Sequence, residues 1–193
     1  MSEKTAPREA SRRPLWILIA LCIAPIIASY IAYYWWPPSE HVNYGELLEP
    51  HPLPDVELKT LDGKPFRWSE LKGEWVLAVI DSGACDAWCQ KKLIYIRQVR
   101  LAQGKEAERI HRVWLITDDV TPERALILGH EGLRMLRAGA SPLLAAFPAT
   151  RSRTDPIYVV DPLGNLMMRY PRDADPRRIL KDVARLLRHS KWR

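Results

Sequence analysis

Apolar and polar positions divide this chain into two regimes. Residues 15–36 are apolar almost without interruption, whereas the chain beyond residue 54 alternates short apolar runs with polar turns. In that second regime Val56-Glu57-Leu58-Lys59-Thr60 has the two-residue period of a half-buried strand. Asp62-Gly63 is a turn signal and Pro65-Phe66-Arg67-Trp68 returns, so a hairpin opens the domain. After a short turn at 69–73, Trp75-Val76-Leu77-Ala78-Val79-Ile80 is continuously apolar and reads as a buried strand. Cys85, Cys89, Leu93, Ile96 and Val99 follow at helical spacing, and Gly104 ends that helix. Val113-Trp114-Leu115-Ile116-Thr117 is a second buried strand, parallel to the first. Thr121-Pro122-Glu123 offers an N-cap residue with proline in the first helical position, which predicts a helix starting there. Ile157-Tyr158-Val159-Val160 and Leu166-Met167-Met168-Arg169-Tyr170 flank Asp161-Pro162-Leu163-Gly164-Asn165, a second hairpin. Asp175-Pro176 starts a last helix with Ile179, Leu180, Val183, Leu186 and Leu187 on its apolar face.

The long apolar segment runs from Leu15 to Trp36, 22 residues without a charge. As a helix it reaches about 33 Å, enough for a bilayer core of about 30 Å. Trp16 marks one end, and Tyr30, Tyr33, Tyr34, Trp35 and Trp36 crowd the other, as an interfacial aromatic belt does. Lys4, Arg8, Arg12 and Arg13 precede the segment. No Lys or Arg then follows until Lys59, while Glu40, Glu46, Glu49 and Asp55 do. The positive-inside bias places the N-terminus in the cytoplasm and the rest across the membrane. A cleaved signal peptide has a shorter core and a small-residue cleavage site; this segment ends in bulky aromatics. A lipoprotein needs small residues just before Cys22, and Leu21 stands there. A buried helix of a soluble domain would not show this charge asymmetry. The expected organisation is a cytoplasmic tail (1–14), a transmembrane helix (15–36), a tether (37–54) and an extracytoplasmic domain (55–193). Pro37-Pro38 ends the span. Glu40, Glu46 and Glu49 with Pro50, Pro52 and Pro54 give the tether its character.

Formal net charge is +6, and residues 169–193 carry nine Lys and Arg against three Asp. A domain outside the cytoplasm meets no nucleic acid. The basic face of the last helix is therefore read as a solvated face that can also meet anionic lipid. The length after the span, roughly 155 residues, is that of one domain with a real core.

Candidate chemistry concentrates in Cys85-Asp86-Ala87-Trp88-Cys89. Residues four apart share a helix face with Cβ atoms about 5–6 Å apart, and a disulfide accepts Cα separations of roughly 4.4–6.8 Å. The pair can close a bridge or offer two thiolates to one soft ion such as Cu(I). In an oxidising compartment paired cysteines are redox-active, bridged or metal-bound. Cys85 lies nearer the helix N-terminus, where the dipole favours the thiolate, so it is the attacking thiol and Cys89 the resolving one. Asp86 is placed to cap the helix, though its charge works against a thiolate. Trp88 shields the pair or packs. His41 and His51 fall in the tether and read as solvated, and His111 precedes a strand. His130 is the best histidine candidate for a metal. Met167 and Met168 cannot both face the core of one strand.

Strand, helix, strand, helix, hairpin, helix is the thioredoxin order. With Cys85-x3-Cys89 after the central strand, the acidic Thr117-Asp118-Asp119-Val120-Thr121-Pro122-Glu123 after the next, and Tyr158-Val159-Val160-Asp161-Pro162-Leu163-Gly164, the chain resembles the membrane-anchored Sco/SenC family of cytochrome oxidase assembly proteins. The resemblance covers roughly residues 54–190 and the N-terminal anchor. It implies an α/β, thioredoxin-like fold, a central mixed sheet flanked by helices, with one transmembrane helix. It implies help in cytochrome c oxidase assembly, by thiol–disulfide exchange and/or delivery of copper, as Cu(I), through Cys85 and Cys89. An oxidase subunit or its assembly factors would be the partner, and the bacterial inner membrane, with the domain in the periplasm, the location. The family's third copper ligand is a histidine about eight residues before the Asp-Pro of the final hairpin. Arg153 and Thr154 stand there, and no His lies between His130 and His189. In thioredoxins a cis-proline near the final hairpin faces the disulfide. Pro156 therefore joins Cys85 and Cys89 as a catalytic candidate, an ordinary Asp155-Pro156 turn being the other reading. The alternative function is a non-catalytic interaction domain whose Cys85–Cys89 bridge is structural.

Overall fold

Helix α1, Arg13–Trp35, contains Pro25. Its Trp16–Tyr34 stretch is long and apolar enough, by length and composition, to cross a membrane. Leu18, Ile23, Ile27 and Tyr33 are all exposed. The computed structural model describes residues 12–35, 43–139 and 141–190. Residues 1–11 of the expected tail, Trp36, and the first third of the expected tether (37–42, with His41) lie outside them. The chain divides into two units at the Val42/Asn43 boundary.

The second unit is built on one eight-stranded mixed sheet. Its strands are β1 (Glu46–Pro52), β2 (Glu57–Thr60), β3 (Pro65–Arg67), β4 (Trp75–Asp81), β5 (Ile110–Ile116), β6 (Leu133–Arg137), β7 (Ile157–Val160) and β8 (Asn165–Tyr170), in the order β1-β8-β7-β4-β5-β6-β2-β3. β4 and β5 run parallel, from Trp75 opposite Ile110 to Asp81 opposite Ile116. β5 and β6 are also parallel, and every other pairing is antiparallel. The continuous apolar runs take the centre: every residue of β4 and β7 is buried, as strands covered on both faces require.

Helices α2 (Ala87–Leu101) and α4 (Pro176–His189) cover one face of the sheet. There Leu93, Ile96 and Val99 of α2 and Ile179, Val183 and Leu187 of α4 join Leu77, Val79 and Trp114 in one apolar cluster. The other face is closed without a long helix. Short 3-10 turns at Trp68–Leu71 and Pro142–Ala146, with Phe147, pack on Val76, Ala78, Ile80 and Tyr158. Full burial of each large apolar side chain here contributes roughly 1.5–3 kcal/mol. Met168 is buried while Met167 is only partly so, as one strand demands.

Three segments depart from the sequence reading. Residues 46–52, expected as tether, form β1 on β8, with a bulge between Leu47 and His51. Pro50 and Pro52 are tolerated because β1 is an edge strand, where a missing N–H breaks no ladder. His51 is not simply solvated: its ring nitrogens lie 2.9 Å from Ala146 O and 3.0 Å from Glu49 O. Those two carbonyls, Ala146 first, hold its pKa above the usual imidazole range. The helix expected from Thr121 starts later and is short, α3 at Arg124–Gly129. Thr121 instead accepts a hydrogen bond from Arg137 at 3.3 Å. Strand β6 lacked a sequence signal because Arg134 and Arg137 interrupt its apolar pattern. One long-range tie was also illegible: the buried Asp182 carboxylate accepts from Tyr44 N at 2.7 Å and Gly45 N at 2.9 Å, fastening the start of the domain to α4.

Candidate functional site

Strand β4 ends at Asp81, and five residues later Asp86 caps α2 by accepting from Cys89 N at 2.8 Å. The loop between them carries the chemistry. Cys85 and Cys89 are joined as a disulfide, with Cα atoms 5.1 Å apart. Gln90 Nε2 donates to Cys85 O at 3.1 Å. Cys85 has φ of +42°, a left-handed conformation that a residue with a Cβ adopts only at a cost. The surroundings hold it there. Cys85 N donates to Ser82 O and Ala84 N to Ser82 Oγ, both at 3.1 Å.

The acidic segment after β5 buttresses the same loop. Asp118 Oδ1 accepts from Gly83 N at 2.9 Å and Val120 N at 3.2 Å. Its hydrogen bond from the Ser82 hydroxyl, followed by those from Gly83 and Val120, holds its carboxyl below the usual range. Gly83 is required for this contact: a Cβ there would fall 2.0 Å from Val120 O.

Below the disulfide, on the same helical face, Lys92 is wholly buried. Its Nζ donates to Asp81 Oδ2 at 2.8 Å, to Ile80 O at 3.3 Å and to Thr154 O. Burial pushes the Lys92 pKa down, and Asp81, Asp86 and Asp155 push it back up. The ammonium thus ties the end of β4, the cysteine helix and the 154–156 segment together. Trp88 makes a second tie, its Nε1 donating to Asp155 O at 3.2 Å. Arg172 pairs with Asp155 at 2.9 Å and lies over the Trp88 ring, which Lys91 also faces. Trp88 therefore packs across the pair's flank.

Pro156 is buried one residue beyond these contacts, so its segment reaches the cysteine helix. Its peptide bond is trans, like all those among the described residues, contrary to the thioredoxin expectation. Both sulfur-bearing residues are covered, Cys85 at 2% exposure and Cys89 at 0%. Ala84, Asp86, Ala87 and Gln90 around them are exposed, so an approaching group meets the Cys85 side first.

Neither His130 nor His111 lies with the sulfurs. His130 precedes the N-terminal end of β6, whereas the cysteines follow the C-terminal end of the parallel β4. His111 pairs with Glu74 at 2.9 Å. Among the described residues no three His, Cys, Asp or Glu side chains gather at a point that could hold a metal. Where the resemblance implied a histidine ligand, Arg153 Nε donates to Phe147 O and Thr154 O receives the Lys92 ammonium. The donor set does not fit a three-ligand copper centre. Asp81 and Lys92 were missed in the sequence, although a lysine three residues after Cys89 on an apolar helix face was a visible anomaly.

A family model described as "Transmembrane-like, thioredoxin-like, C-terminal domain" matches residues 75–190. The chain belongs to this family. Among solved structures, copper-bound yeast Sco1 superposes at TM-score 0.60 with 14% identity, over 76% of this chain and 100% of that one. Copper-bound ScoI of Bradyrhizobium japonicum gives 0.53 and 20%, over 72% and 98%. BsSco, a member of the Sco family of cytochrome c oxidase assembly proteins in which a disulfide switch has been identified, gives 0.55 and 14%, over 74% and 96%. No curated protein matches the sequence. At these identities the solved structures establish a shared fold: the domain has the thioredoxin-like architecture of the Sco proteins, as its motifs implied.

Proposed function

We propose that this family member is a membrane-anchored thiol–disulfide exchange protein whose working group is Cys85–Cys89, acting in the assembly of a respiratory oxidase. The observation that carries this reading is where the bridge lies. It joins residues only four apart, at a helix end already fastened by Asp86. A cross-link closing so small a loop removes little entropy from the unfolded chain, about 2 kcal/mol on the chain-entropy estimate. It adds little as a staple, yet it sits at a helix N-terminus, where a thiolate is favoured. In the reduced form, Cys85 thiolate attacks a partner disulfide and releases one partner thiolate. Cys89 then attacks Cys85 in the mixed disulfide, releasing the second partner thiolate and closing the bridge. Two electrons pass to the partner.

The reduced full-length chain, mixed with a disulfide-bonded peptide, should yield the reduced peptide and the bridged protein in equal amounts. Cys85→Ser should abolish the exchange, and Cys89→Ser should trap the mixed disulfide. Unchanged peptide after complete mixing would favour a structural bridge and a docking role for the domain.

The oxidase context rests on fold likeness to Sco proteins such as BsSco, described as belonging to a family of cytochrome c oxidase assembly proteins. Copper delivery, implied by the copper-bound relatives, has weaker support here. Once reduced, Cys85 and Cys89 supply two soft thiolates, and Cu(I) would be held by these alone.

The domain boundaries and orientation form part of the proposal: a cytoplasmic tail, one span near residues 15–36 in a bacterial inner membrane, and a periplasmic domain. Protease added to spheroplasts should degrade the domain and leave a small anchored stub. A fully protected domain would reverse the orientation.

A further inference from the structure

Arg112 stands in the middle of the sheet, opposite Leu77 of β4 and Leu133 of β6, at 3% exposure. Its Nη2 donates to Glu131 O, while its Nε and Nη1 are buried and have no hydrogen-bond partner among the described residues. No salt bridge joins it to a carboxylate among the described residues. Arg100 and Arg97 of α2 bear on it, and with burial, the larger cause, they lower its pKa. His130 lies alongside at 7% exposure, its Nδ1 equally without a partner among the described residues. Burial, then Arg112 and Arg97, depress its pKa too. Arg112 thus lies among other basic groups without an ion pair among the described residues. A buried charge in that state is costly unless something pairs with it.

A cavity of about 360 Å³ opens beside them, lined by His130, Glu131, Gly132 and Leu133 on one side and Thr60 and Phe66 on the other. Arg112 is not itself on the cavity wall but lies behind Gly132: a Cβ there would lie 3.5 Å from Arg112 Nη2. Of the acids on the cavity wall, Asp62 is engaged by Lys64 at 2.8 Å and by Thr60, and Glu131 is exposed.

We propose that Arg112 and His130 form a binding site for a small oxyanion, reached through this cavity and favoured by the charges of Arg97 and Arg100. Arg112 offers unpaired N–H donors and positive charge, and His130 Nδ1 donates in the tautomer that carries its proton there. A ligand must therefore bring acceptor oxygens and negative charge, which phosphate and carboxylate groups do. The site is remote from the cysteines, at the opposite end of the parallel strands, and does not depend on the redox reading.

The test is thermal unfolding of the full-length chain in detergent at pH 7, with inorganic phosphate titrated against chloride at constant ionic strength and acetate as a third arm. Phosphate should raise the midpoint with the logarithm of its concentration, by roughly 4 °C when in about twentyfold excess over its Kd. A matching rise with acetate would assign the site to carboxylates as well. Arg112→Met should remove the rise, and so should His130→Ala in large part. Arg97→Gln, a change at an exposed position, should weaken phosphate several-fold and keeps the test decisive if Arg112→Met fails to fold. Equal midpoints in phosphate and chloride would overturn the proposal. So would an unchanged phosphate response in His130→Ala and Arg97→Gln.

Discussion

Replacing Lys92 by methionine should destabilise the domain by roughly 3–5 kcal/mol, the usual cost of leaving one member of a buried ion pair alone. Methionine fills much the same space, so the loss comes from charge and not from a cavity. Asp81 Oδ2 loses the ammonium at 2.8 Å, and the carbonyls of Ile80 and Thr154 lose a donor. Removing both charges should repair much of this. Lys92→Met with Asp81→Leu should recover a large part of the lost stability, because a buried pair exchanged for apolar side chains is often close to neutral. Chemical denaturation of the four proteins of the cycle, each as the full chain, measures the coupling. A Lys92→Met variant within about 1 kcal/mol of the parent would mean that the ammonium is not buried as described. The double variant has a second use. If it regains stability but exchanges thiols more slowly, the pair also supports the disulfide's chemistry.

The second large effect concerns a residue with no side chain. Gly83→Ala should cost about 1–3 kcal/mol through overpacking, and it should slow thiol exchange beyond that loss. The new Cβ would sit 2.0 Å from Val120 O and 2.8 Å from Val120 C, both backbone atoms. One of the two loops must therefore move. The Gly83 N–H to Asp118 bond would go with it, and this bond helps to hold the cysteine loop. Gly129→Ala is the control, since nothing lies within 4 Å of a Cβ there. A Gly83→Ala protein with parental stability and exchange rate would separate the acidic segment from the cysteine loop.

Local patterns carried much of this fold. The central strands are apolar runs, α2 and α4 have apolar stripes, and Asp86 and Asp175 cap their helices as their positions implied. The Cys85-x3-Cys89 spacing alone allowed the bridge. Long-range pairing was less legible. β1 hides behind prolines because an edge strand does not need every N–H, and only its partner β8 shows that it is a strand. Asp182 resembles any polar residue on an amphipathic helix until Tyr44 and Gly45 are brought to it. The Asp81–Lys92 pair sits on two elements, each ordinary alone. The acidic segment was recognised as a motif, but the role of Asp118 depends on the close passage of Gly83, which no spacing encodes.

The reduction potential of Cys85–Cys89 tests the central claim most directly. The full-length chain is equilibrated with glutathione buffers of graded poise, and the free thiols are trapped and counted. An exchanging bridge should titrate at a potential more oxidising than about −300 mV, with Cys85→Ser giving no two-electron step. A bridge that stays closed in all glutathione buffers, with a potential below about −300 mV, would contradict the account and make Cys85–Cys89 a structural link.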